Sequence, residues 1–136
     1  LGIMCSADKD LIKELKKSVS TWNINSFAEF FMQIFTKYEK DYKKACAKFI
    51  EERNDFEAKL RKIKYLRGIP SQANYFLVEI LPPYTANQIV LKMLKQFNIL
   101  TRDCSSKTGF DGKQYMRIAV RSHEDNAKLI EGLSKI

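Results

Sequence analysis

Glycine, proline, cysteine and histidine are scarce in this sequence: 5, 3, 3 and 1 among 136 residues. The scarcity excludes several kinds of protein at once. The few glycines never fall in G-x-G-x-x-G, P-loop or G-x-S-x-G order, which removes the phosphate-cradling loops and the hydrolase nucleophile elbow. A single histidine leaves no H-E-x-x-H zinc motif, and no other metal-ligand cluster is visible. Three cysteines, Cys5, Cys46 and Cys104, are odd in number and far apart. They suggest neither a disulfide framework nor a zinc knuckle, and point to a reducing cytoplasm. Long hydrophobic runs are also missing: none approaches the roughly 20 residues of a membrane span. The start, LGIMCSADKD, has no basic n-region and no cleavage pattern of a signal peptide. It opens abruptly on a short apolar run, Leu1 to Cys5, which reads as a strand without neighbours and as the first sign of a fragment.

What is present is an ordinary globular balance, 45% hydrophobic and 29% charged, enough to bury a core in one domain. The net charge of +8 is uneven: Lys37 to Arg67 holds 11 Lys/Arg against 6 Asp/Glu. Such a stripe is either a solvated helix face or the footprint of a nucleic-acid or partner-binding module.

Periodicity divides the chain. Asp8 or Asp10 can cap a helix carrying Leu11, Ile12, Leu15 and Val19 at helical spacing. Ser20 to Ser26, around Trp22, reads as a turn. Ser26 then caps a helix that is apolar nearly all round (Phe27, Ala28, Phe30, Phe31, Met32, Ile34, Phe35), which calls for burial against more than one neighbour. Lys37 to Leu66 is the longest helical pattern. Its seam of Tyr42, Cys46, Phe49, Phe56, Leu60 and Ile63 is interrupted by Arg53, as expected of a long helix laid across a sheet. Gly68 and Pro70 stop it.

Beyond Pro70 the texture becomes strand-like. Ala73 to Leu81 is rich in aromatic and branched residues and is closed by Pro82–Pro83. A helix from Thr85 or Asn87 carries Ile89, Val90, Met93, Leu94 and Phe97, and Asn98 ends it. Ile99 to Cys104 is the next strand. In Tyr115 to Arg121, Met116, Ile118 and Val120 share one face while Tyr115, Arg117, Ala119 and Arg121 share the other. Ser122 and Asp125 form a variant capping box for a last helix lined by Ala127, Leu129, Ile130 and Leu133. The fold class is α/β. A two-layer β-α-β-β-α unit with helices on one face follows a helical segment with one long helix.

Chemistry-bearing residues are few. No catalytic centre can be assembled, and His123, in a helix-start turn with no acid or nucleophile placed to work with it, reads as a surface residue. Arg102 and Arg117 stand out because a guanidinium set in a strand stays charged and needs an anionic partner when buried. Arg117 can bind a carboxylate through two parallel hydrogen bonds, or it can pair with Asp103 or Asp111. Spacing does not choose between these.

Three stretches carry a resemblance. LGIMCSADKDLIKELKKSVSTWNINSFAEFF is similar to the segment after the cofactor-lysine motif of class I/II pyridoxal-phosphate-dependent aminotransferases, R-L-G-Y/F, a helix, then W-N-V-N-S. PSQANYFLVEI resembles that family's P-S-x-A-N-F-x-L-V strand entering the small domain. ILTRDCSSKTGFDGKQYMRIAVRSHEDNAKLIEGL resembles its I-L-V-R-D…Y-x-R-I-x-V-G-T-x-E-E-N ending. The three occur in family order and cover nearly the whole chain. The nearest branch is that of histidinol-phosphate aminotransferases and threonine-phosphate decarboxylases.

The resemblance implies the C-terminal part of such an enzyme, with residues 1–36 a remnant of the large cofactor domain and 37–136 the linking helix plus small domain. It implies that Arg117 binds the substrate α-carboxylate and Arg102 the distal phosphate of a phosphorylated substrate. The reaction would move an amino group between an amino acid and a 2-oxo acid. Decarboxylation of an amino acid phosphate on the same fold is the alternative, and Arg121, where many aminotransferases have glycine, keeps it open. Pyridoxal phosphate belongs to the intact enzyme and is not expected on this chain, because the Schiff-base lysine lies upstream of R-L-G. The implied partners are the upstream large domain and a second copy in a homodimer. A membrane is not among them, and a nucleic-acid role would need strand aromatics that QYMRIAV largely lacks.

Overall fold

Short polar side chains set the helix starts. The computed structural model describes residues 4–20 and 23–136. Asp8 accepts from the Leu11 amide at 2.9 Å and begins α1, Lys9–Ser18. Asn25, rather than Ser26, caps the next helix by accepting from the Ala28 amide at 2.9 Å, so that Ser26 is already helical. That helix, α2, runs unbroken over Ser26–Leu60 and merges the two helices expected from the sequence. No proline or glycine lies inside it, so the polar change near Lys37 does not break the hydrogen-bond ladder. The strand reading of Leu1 to Cys5 falls mostly on residues 1–3, outside the described residues, as do the turn positions Thr21 and Trp22.

The chain forms two compact units, Leu1–Ala45 and Cys46–Ile136, with the division inside α2. In the first unit, α1 buries none of its residues. The burial expected for Phe27 to Phe35 is not found there: Phe27 is 89% exposed, and Phe30, Phe31 and Met32 are also open to solvent. The rings that do meet are Phe31 with Phe35 and Phe35 with Tyr42, at centroid distances of 5.6 and 5.4 Å.

The second unit contains the sheet. After α2 come β1 (Leu66–Gly68), β2 (Tyr75–Ile80), α3 (Ala86–Phe97), β3 (Arg102–Asp103), β4 (Gln114–Ala119) and α4 (His123–Ser134). The strand order is β1-β2-β4-β3, and every pair is antiparallel. The expected β-α-β-β-α order is there, with one strand added. The sequence placed Leu66 in the long helix and Gly68 at its stop. Instead the helix ends at Leu60, and Leu66–Gly68 pairs with Val78 to Ile80. The expected strand Ile99 to Cys104 narrows to two paired residues, because only Arg102 and Asp103 are in ladder register with β4.

One sheet face is apolar. Phe76, Val78, Ile80, Met116 and Ile118 share it and pack with Phe56 and Leu60 of α2, Ile89 and Met93 of α3, and Leu129 and Leu133 of α4 in a single core. The Phe56 and Phe76 rings meet edge-on at 6.0 Å. Thr85 and Gln88 form a reciprocal capping box on α3, and Asn98, in the left-handed region at φ 55°, closes it. Asn126, buried, clips both backbone groups of Arg121: it accepts from the amide at 2.9 Å and donates to the carbonyl at 3.0 Å. That clip sets the turn from β4 into α4.

Candidate functional site

Strand parity brings the arginines to the sheet face opposite the apolar core. Arg117 lies directly across from Leu77 on β2 and from Arg102 on β3, so Leu77, Arg117 and Arg102 make one row. The rows beside it are Tyr75 with Ala119, and Arg67 with Glu79 and Tyr115. Arg102 and Arg117 are both exposed. Like charges directly opposite on neighbouring strands repel, and nothing in the local sequence requires them to be there. The pairing of Arg117 with Asp103 or Asp111, left open by spacing, does not occur. Asp103 instead accepts from the Ser105 amide at 2.8 Å and from its hydroxyl. Among the described residues neither Arg102 nor Arg117 makes an ion pair.

Arg117 has a different kind of neighbour. Its guanidinium carbon lies 5.3 Å from the centre of the Tyr75 ring, within cation–π range. Further along the face the charge is matched: Arg67 pairs with Glu79, whose side chain is only 10% exposed. Tyr115 is covered by Phe110 at a ring distance of 4.3 Å. The loop that carries Phe110 back over the sheet turns through positive φ at Gly109, Asp111 and Gly112. This conformation suits the two glycines and is tolerated by aspartate. The result is a surface with an apolar, charge-neutral end and a cationic end made of Arg102 and Arg117.

Arg121 points to other work. Its Nε donates to Asp125 at 2.8 Å, and that contact is the main reason the Asp125 carboxyl is held below the usual range. A cleft of about 450 Å³ at the end of β4 is lined by Ile99, Thr101, Arg121, Asn126 and Lys128 among others, and by neither Arg102 nor Arg117.

His123 does have an acid beside it, contrary to the sequence reading. Its Nδ1 is 3.2 Å from Glu52 Oε2, a residue 71 positions away that no local pattern could place next to it. Asp55, one helical turn after Glu52, completes a group, Glu52 half-buried and the other two exposed, whose ligand-type atoms lie within 4.8 Å of one another. Asp55 is engaged with Lys59 at 2.7 Å, and the His123–Glu52 hydrogen bond ties α2 to the start of α4. The basic stripe of α2 is laced in the same way by Lys43–Glu39 and Arg61–Glu57 pairs at i,i+4 spacing.

A pyridoxal-phosphate carbonyl needs a lysine amine held in a shielded site. Every lysine is exposed except Lys59, which is half-buried and paired with Asp55. The lysines of this chain therefore do not fit the covalent anchor of that cofactor.

Comparison with known proteins agrees with this architecture. The pattern of the family described as aminotransferase class I and II matches residues 1–133. The L-serine phosphate decarboxylase of Campylobacter jejuni is 32% identical over 130 residues, covering 94% of this chain and 33% of that protein. Among solved structures, a decarboxylase from Sulfurospirillum multivorans superposes with a TM-score of 0.82 at 27% identity, covering 94% of this chain and 36% of that one. The histidinol-phosphate aminotransferase from Clostridium acetobutylicum does so with a TM-score of 0.81 at 25% identity, covering 93% and 37%. The chain thus spans about a third of the length of these proteins.

Proposed function

Because this chain belongs to the class I and II aminotransferase family, a pyridoxal-phosphate-dependent family, we propose that it is the substrate-clamping C-terminal part of such an enzyme. The observation that carries the reading is the row formed by Arg102 and Arg117, two exposed strand arginines facing each other without an acid between them. A guanidinium offers a planar fork that matches carboxylate or phosphate through two parallel hydrogen bonds. In this reading Arg117 takes the amino acid's α-carboxylate and Arg102 its distal anionic group. Holding both ends fixes the bonds at Cα relative to the cofactor ring. The cofactor, when bound, supplies the electron sink for breaking one of those bonds.

The lysine and the groups that hold the cofactor are assigned to a large domain outside this chain. Phe27, Phe30, Phe31 and Met32 form the apolar surface that this domain would cover. The intact enzyme is proposed to be a homodimer and to work in the cytoplasm, a location supported by three free cysteines. No described helix is long and apolar enough to cross a membrane.

Transfer of an amino group between an amino acid and a 2-oxo acid is the first reaction assigned. Decarboxylation of an amino acid phosphate is the second, favoured by the 32% identity to a serine phosphate decarboxylase over 94% of the chain. The discriminating experiment supplies the chain joined to its lysine-bearing large domain with pyridoxal phosphate, 2-oxoglutarate and O-phospho-L-serine. Release of carbon dioxide identifies the decarboxylase, and formation of a carbonyl product with 2-oxoglutarate consumed identifies the aminotransferase. Absence of both refutes the reading. So does a borohydride-reducible absorbance band on one lysine of this chain alone, since that would place the cofactor anchor here.

A further inference from the structure

Arg117 poses a problem of order. A long cationic side chain on an exposed strand face samples many rotamers, and the entropy of fixing them is paid on ligand binding. No acid holds this one, and Arg102 across the ladder repels it. The feature that gives the guanidinium a preferred place is the ring of Tyr75 at 5.3 Å.

The backbone that carries the Tyr75 ring is held in place. Tyr75 opens β2 opposite Ala119, one diagonal step from Arg117, a spacing that aromatic and long side chains can bridge. Ala119 is too short to compete for the ring. The backbone around Tyr75 is pinned from three directions. The Ser71 hydroxyl donates to the Tyr75 carbonyl at 2.7 Å and accepts from the Ala73 amide at 3.1 Å. Arg53, the charged interruption in the α2 seam, donates to the Gln72 carbonyl at 2.7 Å. The Val120 amide donates to the Asn74 carbonyl at 2.8 Å.

We infer that Tyr75 is the positioning residue for Arg117, its ring a platform that keeps the guanidinium in one place, ready for a carboxylate. This deepens the reading under Proposed function and rests on it for the identity of the ligand, but not for the platform itself. The ring does the work and the hydroxyl does not, so phenylalanine substitutes for tyrosine and leucine does not. Among the described residues no ring lies under Arg102, which serves as the comparison within the same molecule.

The test uses the 136-residue chain, with side-chain Nε–Hε resonances of Arg102 and Arg117 followed by NMR. Without ligand, the heteronuclear NOE of Arg117 should be clearly higher than that of Arg102. It should fall to the Arg102 level in Tyr75→Leu and be retained in Tyr75→Phe. With O-phospho-L-serine as the probe, the Kd read at Arg117 should rise about two- to fivefold in Tyr75→Leu, the size of an exposed cation–π contact, and return in Tyr75→Phe. An Arg117 as mobile as Arg102 in the unsubstituted chain overturns the inference even if the leucine variant does not fold. So does a leucine variant that keeps both the NOE and the affinity. An ordered Arg117 that does not respond to phosphoserine leaves the platform standing and refutes the substrate-clamp reading instead.

Discussion

Replacing Arg102 with threonine should make the protein more stable while weakening its binding of anions. Arg102 and Arg117 are directly opposite on β3 and β4, both exposed and without an ion pair among the described residues. Opposed strand positions bring Cβ atoms to within about 5 Å. With the guanidinium groups splayed to about 6 Å, their repulsion in water is roughly 0.7 kcal/mol. Screening at about 0.1 M salt reduces it to about 0.4 kcal/mol, and at about 1 M to about 0.1 kcal/mol. Arg102→Thr removes this cost, suits a strand position, and leaves the Arg117–Tyr75 contact alone. The assay is urea unfolding at low and high salt, followed by tyrosine fluorescence or far-UV dichroism. A stability gain that shrinks with salt, together with weaker phosphoserine binding, is the expected pair of results. A loss of stability, or a gain indifferent to salt, would show that the arginines do not oppose each other as the register requires. Destabilising charge retained at one place is the pattern expected where function outweighs stability.

Other consequences can be checked by similar means. Tyr65 donates its hydroxyl to the Leu133 carbonyl at 2.6 Å, and burial, with Tyr84 beside it, raises its pKa from 10.0 to about 12. The folded chain therefore keeps a proton that the unfolded chain loses: the contribution is whole below about pH 10 and disappears as pH rises towards 12. Discounted for a half-exposed ring, this is about 1 kcal/mol, and Tyr65→Phe should flatten the alkaline limb of a stability–pH curve at a cost of about 1 kcal/mol near neutrality. A variant with an unchanged alkaline limb would remove Tyr65 from that role. In α4, a Cβ at Gly132 would lie 2.9 Å from Met93 Cε and 3.1 Å from Phe97 Cγ. Overpacking should outweigh the helix-propensity gain, so Gly132→Ala should lose about 1 kcal/mol in denaturant unfolding rather than gain it. The open aromatic face of α2 should drive self-association, reduced by Phe27→Ser with Phe31→Ser. Sedimentation of the unsubstituted chain as a clean monomer would contradict this.

What the sequence by itself determined was local. The cap at Ser122 and the stop at Asn98 are visible, and those at Asp8 and Thr85 to within one neighbouring candidate each (Asp10, Asn87), because a cap bonds within three or four residues of itself. The faces of β4 are visible because side chains alternate with a period of two, so Arg117 had to oppose Met116 and Ile118. Tertiary structure decided everything that depends on partners distant in the chain. Leu66–Gly68 is a strand only because β2 lies beside it, and the apolar helix after Asn25 lacks cover because periodicity announces burial without naming what buries. His123 meets Glu52 across 71 positions. Two arginines were plain in the sequence as groups that could receive anions. Their place opposite each other, and the Tyr75 ring beneath one of them, come from strand register, which is set by the packing of the whole sheet.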